Sequence, residues 1–198
     1  MPRVVMGSDG SLSRALATGL DAVAVGLGAP PEGTDGAVII LDINTDEVCQ
    51  PVSIVSDVQW RRLAEEPMRR ALEALQRSRL SMRRRGGAIV LVAPTLGIAG
   101  AAGLVPLTTA AEGVRAMAKS AARQWASEGI YVNTIAVPVG LFEPALATSD
   151  GHLSAPAVPV DEALIDSVIE TTEFLLERKP KHLIGQTIVI DGGSVMLP

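Results

Sequence analysis

Four apolar runs punctuate the chain: "AVIILDI" from Ala37, "GGAIVLVAP" from Gly86, "IYVNTIAV" from Ile130 and "QTIVIDGG" from Gln186. Runs of aliphatic, mostly β-branched residues with little polar alternation are buried on both faces, as parallel strands covered by helices are. The stretches between them carry helical spacing. Ser56 opens "SDVQW", a serine with glutamine three residues on, which predicts a capping box. The helix that follows presents Trp60, Leu63, Ala64, Met68, Ala71, Leu72 and Leu75 on one face, and Pro67 should kink it by removing a backbone donor.

A second helix is expected from Pro106 to Ser127, stopped by Gly129, and a third from Asp161 to about Lys179, closed by Pro180. Residues 3 to 25 read as strand, polar turn, short helix (Leu12, Ala15, Leu16, Leu20) and strand. Pro138, Pro144, Pro156 and Pro159 mark residues 138 to 160 as a loop. Strands alternating with helices predict an α/β domain of the doubly wound, Rossmann-like kind with a mainly parallel sheet, one domain over residues 1–198. A chain of 198 residues with 47% hydrophobic but 3% aromatic content builds its core from Ala, Val, Leu and Ile.

A net charge of −5 argues against nucleic acid and anionic membranes as partners. Nothing approaches the ~20 apolar residues that span a bilayer, and the N-terminus lacks the layout of a secretion signal. The expected setting is the cytoplasm. One cysteine, Cys49, allows no internal disulfide and has no histidine near it in sequence to activate it.

The pieces "SDVQW", "GGAIVLV", "GVRAMAKSAARQWASEGIYVNTIA" and "LIGQTIVIDGG" stand in the order and spacing of the short-chain dehydrogenase/reductase family. From about residue 35 onward the chain resembles the branch of the 3-oxoacyl-carrier-protein reductases. The resemblance implies a Rossmann-like dehydrogenase fold that works with an Asn, a Ser and a Tyr-x-x-x-Lys pair. The tyrosine moves the proton, the lysine lowers its pKa and holds the nicotinamide ribose, and the serine steadies the substrate oxygen.

Carried over in register, the Asn position falls on Pro67, the Ser position on Pro94, the Tyr position on Leu107 and the Lys position on Ala111. None of these can do the family's work. No tyrosine or lysine lies between Gly86 and Arg115, the only tyrosine is Tyr131, and Lys119 lies about 18 Å along the helix from Leu107 at 1.5 Å per residue. Thr95, Thr108 and Thr109 offer only unassisted hydroxyls. Losing a placed general acid costs roughly 10²–10⁴ in rate.

The family's glycine turn is altered as well. "GSDGSLS" puts Gly7, Ser11 and Ser13 where three glycines would let backbone approach a pyrophosphate. A helix–strand–helix unit beside the adenosine pocket is missing between Val25 and Ala37. The expectation is weak or absent NAD(P) binding, with no catalytic residue, no cofactor and no metal site.

His152 and His182 lie apart and read as surface or capping groups. Asp42, Asp46 and Glu47 match no metal-ligand spacing. The basic run Arg77 to Arg85 reads as a helix end opposing its dipole, with an anion contact as the sharper alternative. Asp191 to Gly193 reads as a tight turn.

Family members are mostly dimers or tetramers, which implies a subunit interface through Met68, Leu72 and Leu75 on one helix and Val114, Met117, Ala121 and Trp125 on the other. Two functions remain open. One is a catalytically inactive subunit, without activity by itself, that pairs with an active family member or with itself. The other is an NAD(P)-dependent 3-oxoacyl or 3-hydroxyacyl thioester oxidoreductase with an atypical site using Glu112, Thr95 or a histidine. A ligand-binding relic would show neither partner nor turnover.

Overall fold

The computed structural model describes residues 2–26, 28–43, 49–150, 153, 155–161 and 163–196. The apolar runs form strands. β1 (Arg3–Met6), β2 (Val23–Gly26), β3 (Gly36–Ile40), β4 (Gly87–Pro94), β5 (Ile130–Val137) and β6 (Thr187–Val189) make one sheet. Their order is β2-β1-β3-β4-β5-β6, and every neighbouring pair is parallel. β4 is buried at every position, as its unbroken apolar run requires.

The helices are α1 (Ser11–Gly19), α2 (Asp57–Trp60), α3 (Glu66–Met82), α4 (Leu96–Ala99), α5 (Val105–Trp125) and α6 (Ala163–Arg178). α3 and α5 cover one face of the sheet, over Met6, Ile39, Leu91 and Val132. α1 and α6 cover the other, over Val5, Val38, Val90 and Val137. The architecture is the Rossmann-like α/β fold with a parallel sheet that the alternation predicted.

The strand order records what is missing. The doubly wound dinucleotide-binding order begins 3-2-1-4, whereas here the sheet begins 2-1-3-4, with β2 at the edge. Between β2 and β3 the described residues contain no helix and no strand. Parallel neighbours need a crossover, usually helical. Here an irregular segment with a turn at Glu32 and Gly33 leads past β1 to β3, with Pro30 buried and Asp35 N–H donating to the Pro2 carbonyl at 3.2 Å.

Ser56 caps α2 in a full capping box: its Oγ accepts from Gln59 N–H at 3.3 Å, and Gln59 Oε1 accepts from Ser56 N–H at 3.0 Å. A π-helical turn, Arg61–Glu65, then joins α2 to α3. It sits just before Pro67, where the missing N–H breaks the α-helical ladder. The expected kink is therefore a local change of helix type. α5 ends one turn before Gly129, whose φ of 73° is the left-handed conformation that glycine adopts without penalty.

Beyond β5 the chain forms two 3₁₀ segments, Val139–Leu141 and Pro144–Asp150, where the prolines predicted a loop. The short edge strand β6 is tied down by Asn133, which is 3% exposed. Its Nδ2 donates to the Leu183 carbonyl at 2.8 Å and its Oδ1 accepts from Gln186 N–H at 3.0 Å. Asn133→Ala leaves both backbone groups without that partner and is expected to lower the unfolding free energy by about 2–4 kcal/mol. Urea melts monitored by circular dichroism check this, and a loss within about 0.5 kcal/mol would contradict it.

Candidate functional site

Ligands of open α/β sheets bind outside the carboxyl ends of the strands where the strand order reverses, here between β1 and β3. Gly7 ends β1 at a φ of 153°, and a Cβ there would lie 3.0 Å from Cβ of Ile40. Ser11 opens α1, and Ser13 is 7% exposed inside its first turns. The crevice in front of them is bridged. Ser8 Oγ donates to Asp42 Oδ1, and Arg70 Nη1 from α3 donates to Asp42 Oδ2. Arg70 also stands 3.7 Å from Glu66.

The hydroxyl–carboxylate–guanidinium chain joins β1, the end of β3 and α3 across the space a dinucleotide would enter. A cavity of about 60 Å³ remains beside Ser8 and Ser13, and one of about 10 Å³ beside Gly7 and Arg70. Small-molecule sites occupy about 300–1,000 Å³.

The positions aligned with the family's tyrosine and lysine are packed in hydrocarbon. Leu107 is 4% exposed and packs with Leu96, Leu104, Val139 and Leu146. Ala111 is fully buried, and a Cβ on Gly97 would come within 2.7 Å of its methyl. Pro94 ends β4 and is buried, and Pro67 is buried in the first turn of α3. No volume remains at these positions for a phenol or an ammonium.

Of the stand-in groups, Thr108 and Glu112 are engaged in local hydrogen bonds, and Tyr131 is distant. Thr108 Oγ1 donates to the Val105 carbonyl at 3.1 Å. Glu112 accepts from Arg115 Nη1 at 2.5 Å, and Arg115 Nε also donates to Thr187 Oγ1 at 3.2 Å. Tyr131 sits at the opposite end of β5 from Val137. His182 is exposed in the turn before β6. His152, Asp46 and Glu47 lie outside the described residues. Among the described residues, no group of three or more His, Cys, Asp or Glu side chains could hold a metal.

The basic run is more than a solvated end. Arg79 makes two hydrogen bonds to Glu128, at 3.1 and 2.8 Å, and lies 5.8 Å from the centre of the Trp125 ring, joining the ends of α3 and α5. The Asp191 turn is held by its own carboxylate, which accepts from Gly193, Ser194 and Val195 N–H at 2.9, 3.2 and 2.8 Å.

Leu75 and Val114 are 1% exposed, Ala121 6% and Trp125 8%, all within the chain's own core. Met68 packs on Gly113, where a Cβ would lie 2.4 Å from its Sδ. The small-residue stripe of α5 faces the sheet and α3. Of the seven residues, Leu72 remains exposed at 42%, with Met117 partly buried beside the core. Helical spacing identifies a buried face without saying what buries it.

A sizeable cavity at the carboxyl end of the sheet lies to one side. It measures about 760 Å³ and is lined by Thr95, Pro138, Leu141, Ala147, Val160 and Asp191 among others. None of Pro67, Pro94, Leu107 and Ala111 borders it. Sequence reasoning found neither this cavity nor the bridge of Ser8, Asp42 and Arg70, because each unites residues far apart in the chain.

The parallel sheet, its switch point and the helices on both faces define a Rossmann-like α/β protein. The family profile described as Enoyl-(Acyl carrier protein) reductase matches residues 32–195, and the chain belongs to the short-chain dehydrogenase/reductase family. The 3-oxoacyl-[acyl-carrier-protein] reductase FabG of Staphylococcus aureus is 29% identical over 146 residues, covering 72% of this chain and 59% of the relative. That of Vibrio cholerae is 29% identical over 119 residues, 59% of this chain and 49% of the relative. The matched segment thus spans about half to three-fifths of the length of these curated relatives.

A crystal structure described as a candidate short-chain alcohol dehydrogenase from Sinorhizobium meliloti superposes with a TM-score of 0.76 at 18% identity. It covers 98% of this chain and 96% of that one, and shows the shared fold.

Placing a lysine back at position 111 tests how completely the centre is closed. Ala111→Lys forces an ammonium into a fully buried methyl-sized site and is expected to lower stability by about 3 kcal/mol or more. Chemical denaturation measures it, and a wild-type midpoint would show that space remains there.

Proposed function

We propose that this chain is a non-catalytic member of the short-chain dehydrogenase/reductase family that pairs with an active member and supports its stability or its substrate site. The observation that carries the reading is the double closure: Leu107 and Ala111 sit in packed hydrocarbon, and Ser8, Asp42 and Arg70 bridge the dinucleotide crevice. Proton transfer to a carbonyl has no agent at the centre. Among the described residues, the cavities beside Gly7, Ser8 and Ser13, of about 10 and 60 Å³, are far smaller than the nicotinamide cofactor that would supply the hydride.

What supports pairing is the surface left over. β6 has a neighbour on one side only, and exposed Val158, Val160 and Met196 lie in the segments around its end. On the other side of the molecule Leu72 stands exposed on α3. Among the described residues no helix is long and apolar enough to cross a membrane, in keeping with a cytoplasmic partner.

The isolated chain is expected to give no saturable change in NADH or NADPH fluorescence up to about 1 mM. Affinity purification from the native host should recover a family member with an intact Tyr-x-x-x-Lys pair. Saturable dinucleotide binding together with turnover of a 3-oxoacyl thioester would replace this reading with that of an enzyme having an atypical site.

A further inference from the structure

We propose that the cavity lined by Arg83, Arg84 and Arg85 is a binding site for a compact phosphate polyanion of the diphosphate kind. The proposal does not depend on the pairing above, because the cavity belongs to the single chain. It measures about 330 Å³ and is completed by the end of α3 and by Glu32 and Gly33. α3 ends at Met82 and β4 begins at Gly87, while Gly33 comes shortly before β3. The cavity therefore lies at the amino ends of β3 and β4, across the molecule from the dinucleotide crevice.

Its charge is not absorbed by the fold. Five arginines fall within Arg77 to Arg85 with no acid among them, in a chain of net charge −5. Two are used internally: Arg77 bonds to Glu73 and Arg79 to Glu128. The other three side chains are exposed. Arg84 comes only within 4.0 Å of Glu32, both being open to water, and Arg83 and Arg85 form no ion pair with any described residue. With Glu32 set against Arg84, two positive charges at the cavity stay unmatched.

Opposing the helix dipole does not account for them. A helix carboxyl end carries about half a negative charge, and Arg79 already stands in the last turn of α3. Backbone alone closes that end, since the Met82 carbonyl accepts from Arg85 N–H at 3.1 Å and from Gly86 N–H at 2.9 Å. Gly86 takes a φ of 73°, and a Cβ there would lie 2.5 Å from the Gly129 carbonyl oxygen. The turn that presents the arginines is thus tightly seated.

The lining sets the ligand's chemistry. Guanidinium forks bind phosphate oxygens in pairs, and several of them on one turn match an anion with many oxygens and at least two charges. A single carboxylate would leave a charge unmatched. The volume is at the lower end of the range of about 300–1,000 Å³ for small-molecule sites, which suits a compact group.

The test titrates inorganic pyrophosphate into the full chain at low ionic strength and reads the heat. Saturable one-to-one binding is expected, weakened roughly three- to tenfold by Arg83→Gln and by Arg85→Gln, and at least about tenfold by the pair. Both side chains are exposed, so circular dichroism should show the variants folded. Arg61→Gln removes the same charge from a side chain that is 73% exposed and outside the lining, and should leave binding unchanged. Acetate should compete poorly.

A chain that gives no saturable heat has no such site. Binding retained in the double variant places the anion elsewhere, and an equal loss in Arg61→Gln reduces it to net charge; either result overturns the proposal. A lowered melting temperature in the double variant with unaltered binding returns the run to a helix-end role. Equal competition by acetate overturns the assigned ligand class.

Discussion

The ladder of β3, β4 and β5 is the constraint on which the molecule depends. β4 pairs along its whole length with β5 and is buried from Gly87 to Pro94, so its backbone groups have no water to turn to and must bond to their neighbours. Helices must then cover both faces, which places α3 and α5 on one side and α1 and α6 on the other. The carboxyl ends of these strands are delivered to one edge of the sheet, where folds of this kind bind ligands. The crevice, the filled centre and the cavity beside Thr95 all lie along that edge.

What distinguishes this chain is how two parts of the edge are closed by different physics. At the centre, dispersion does it: Leu107 packs with Leu96, Leu104, Val139 and Leu146, and interiors packed at crystal-like density leave no room for guests. At the switch point, electrostatics does it, with Asp42 accepting from Ser8 and Arg70 at once. The two closures use separate residues, so reversing one would leave the other in place. Next to them the cavity at Thr95 stays open, because prolines and the 3₁₀ segments after β5 hold the chain off the sheet there.

Much of this architecture was legible in local pattern. The strands, the capping box at Ser56 and the stop at Gly129 each follow from a few neighbouring residues. The helix–strand–helix deletion was visible as a gap between Val25 and Ala37, and the strand order agrees with it. The candidate interface was legible only in part. Leu72 and Leu75 lie on one predicted stripe, yet one is exposed and the other buried, because the breadth of the covered face depends on where α5 and the sheet lie.

By itself the sequence determined the class of fold, through apolar strands alternating with amphipathic helices, and placed Leu107 and Ala111 where the resembled family carries its tyrosine and lysine. Only the tertiary structure decided that Leu107 and Ala111 sit in packed hydrocarbon, that Asp42 reaches both Ser8 and Arg70, and that Thr95 borders a cavity. The reason is physical: periodicity is a property of neighbours in the chain, whereas cavities and long-range ion pairs depend on how elements meet across the sheet. Those meetings are fixed by packing volume and strand register, which no short stretch of residues encodes.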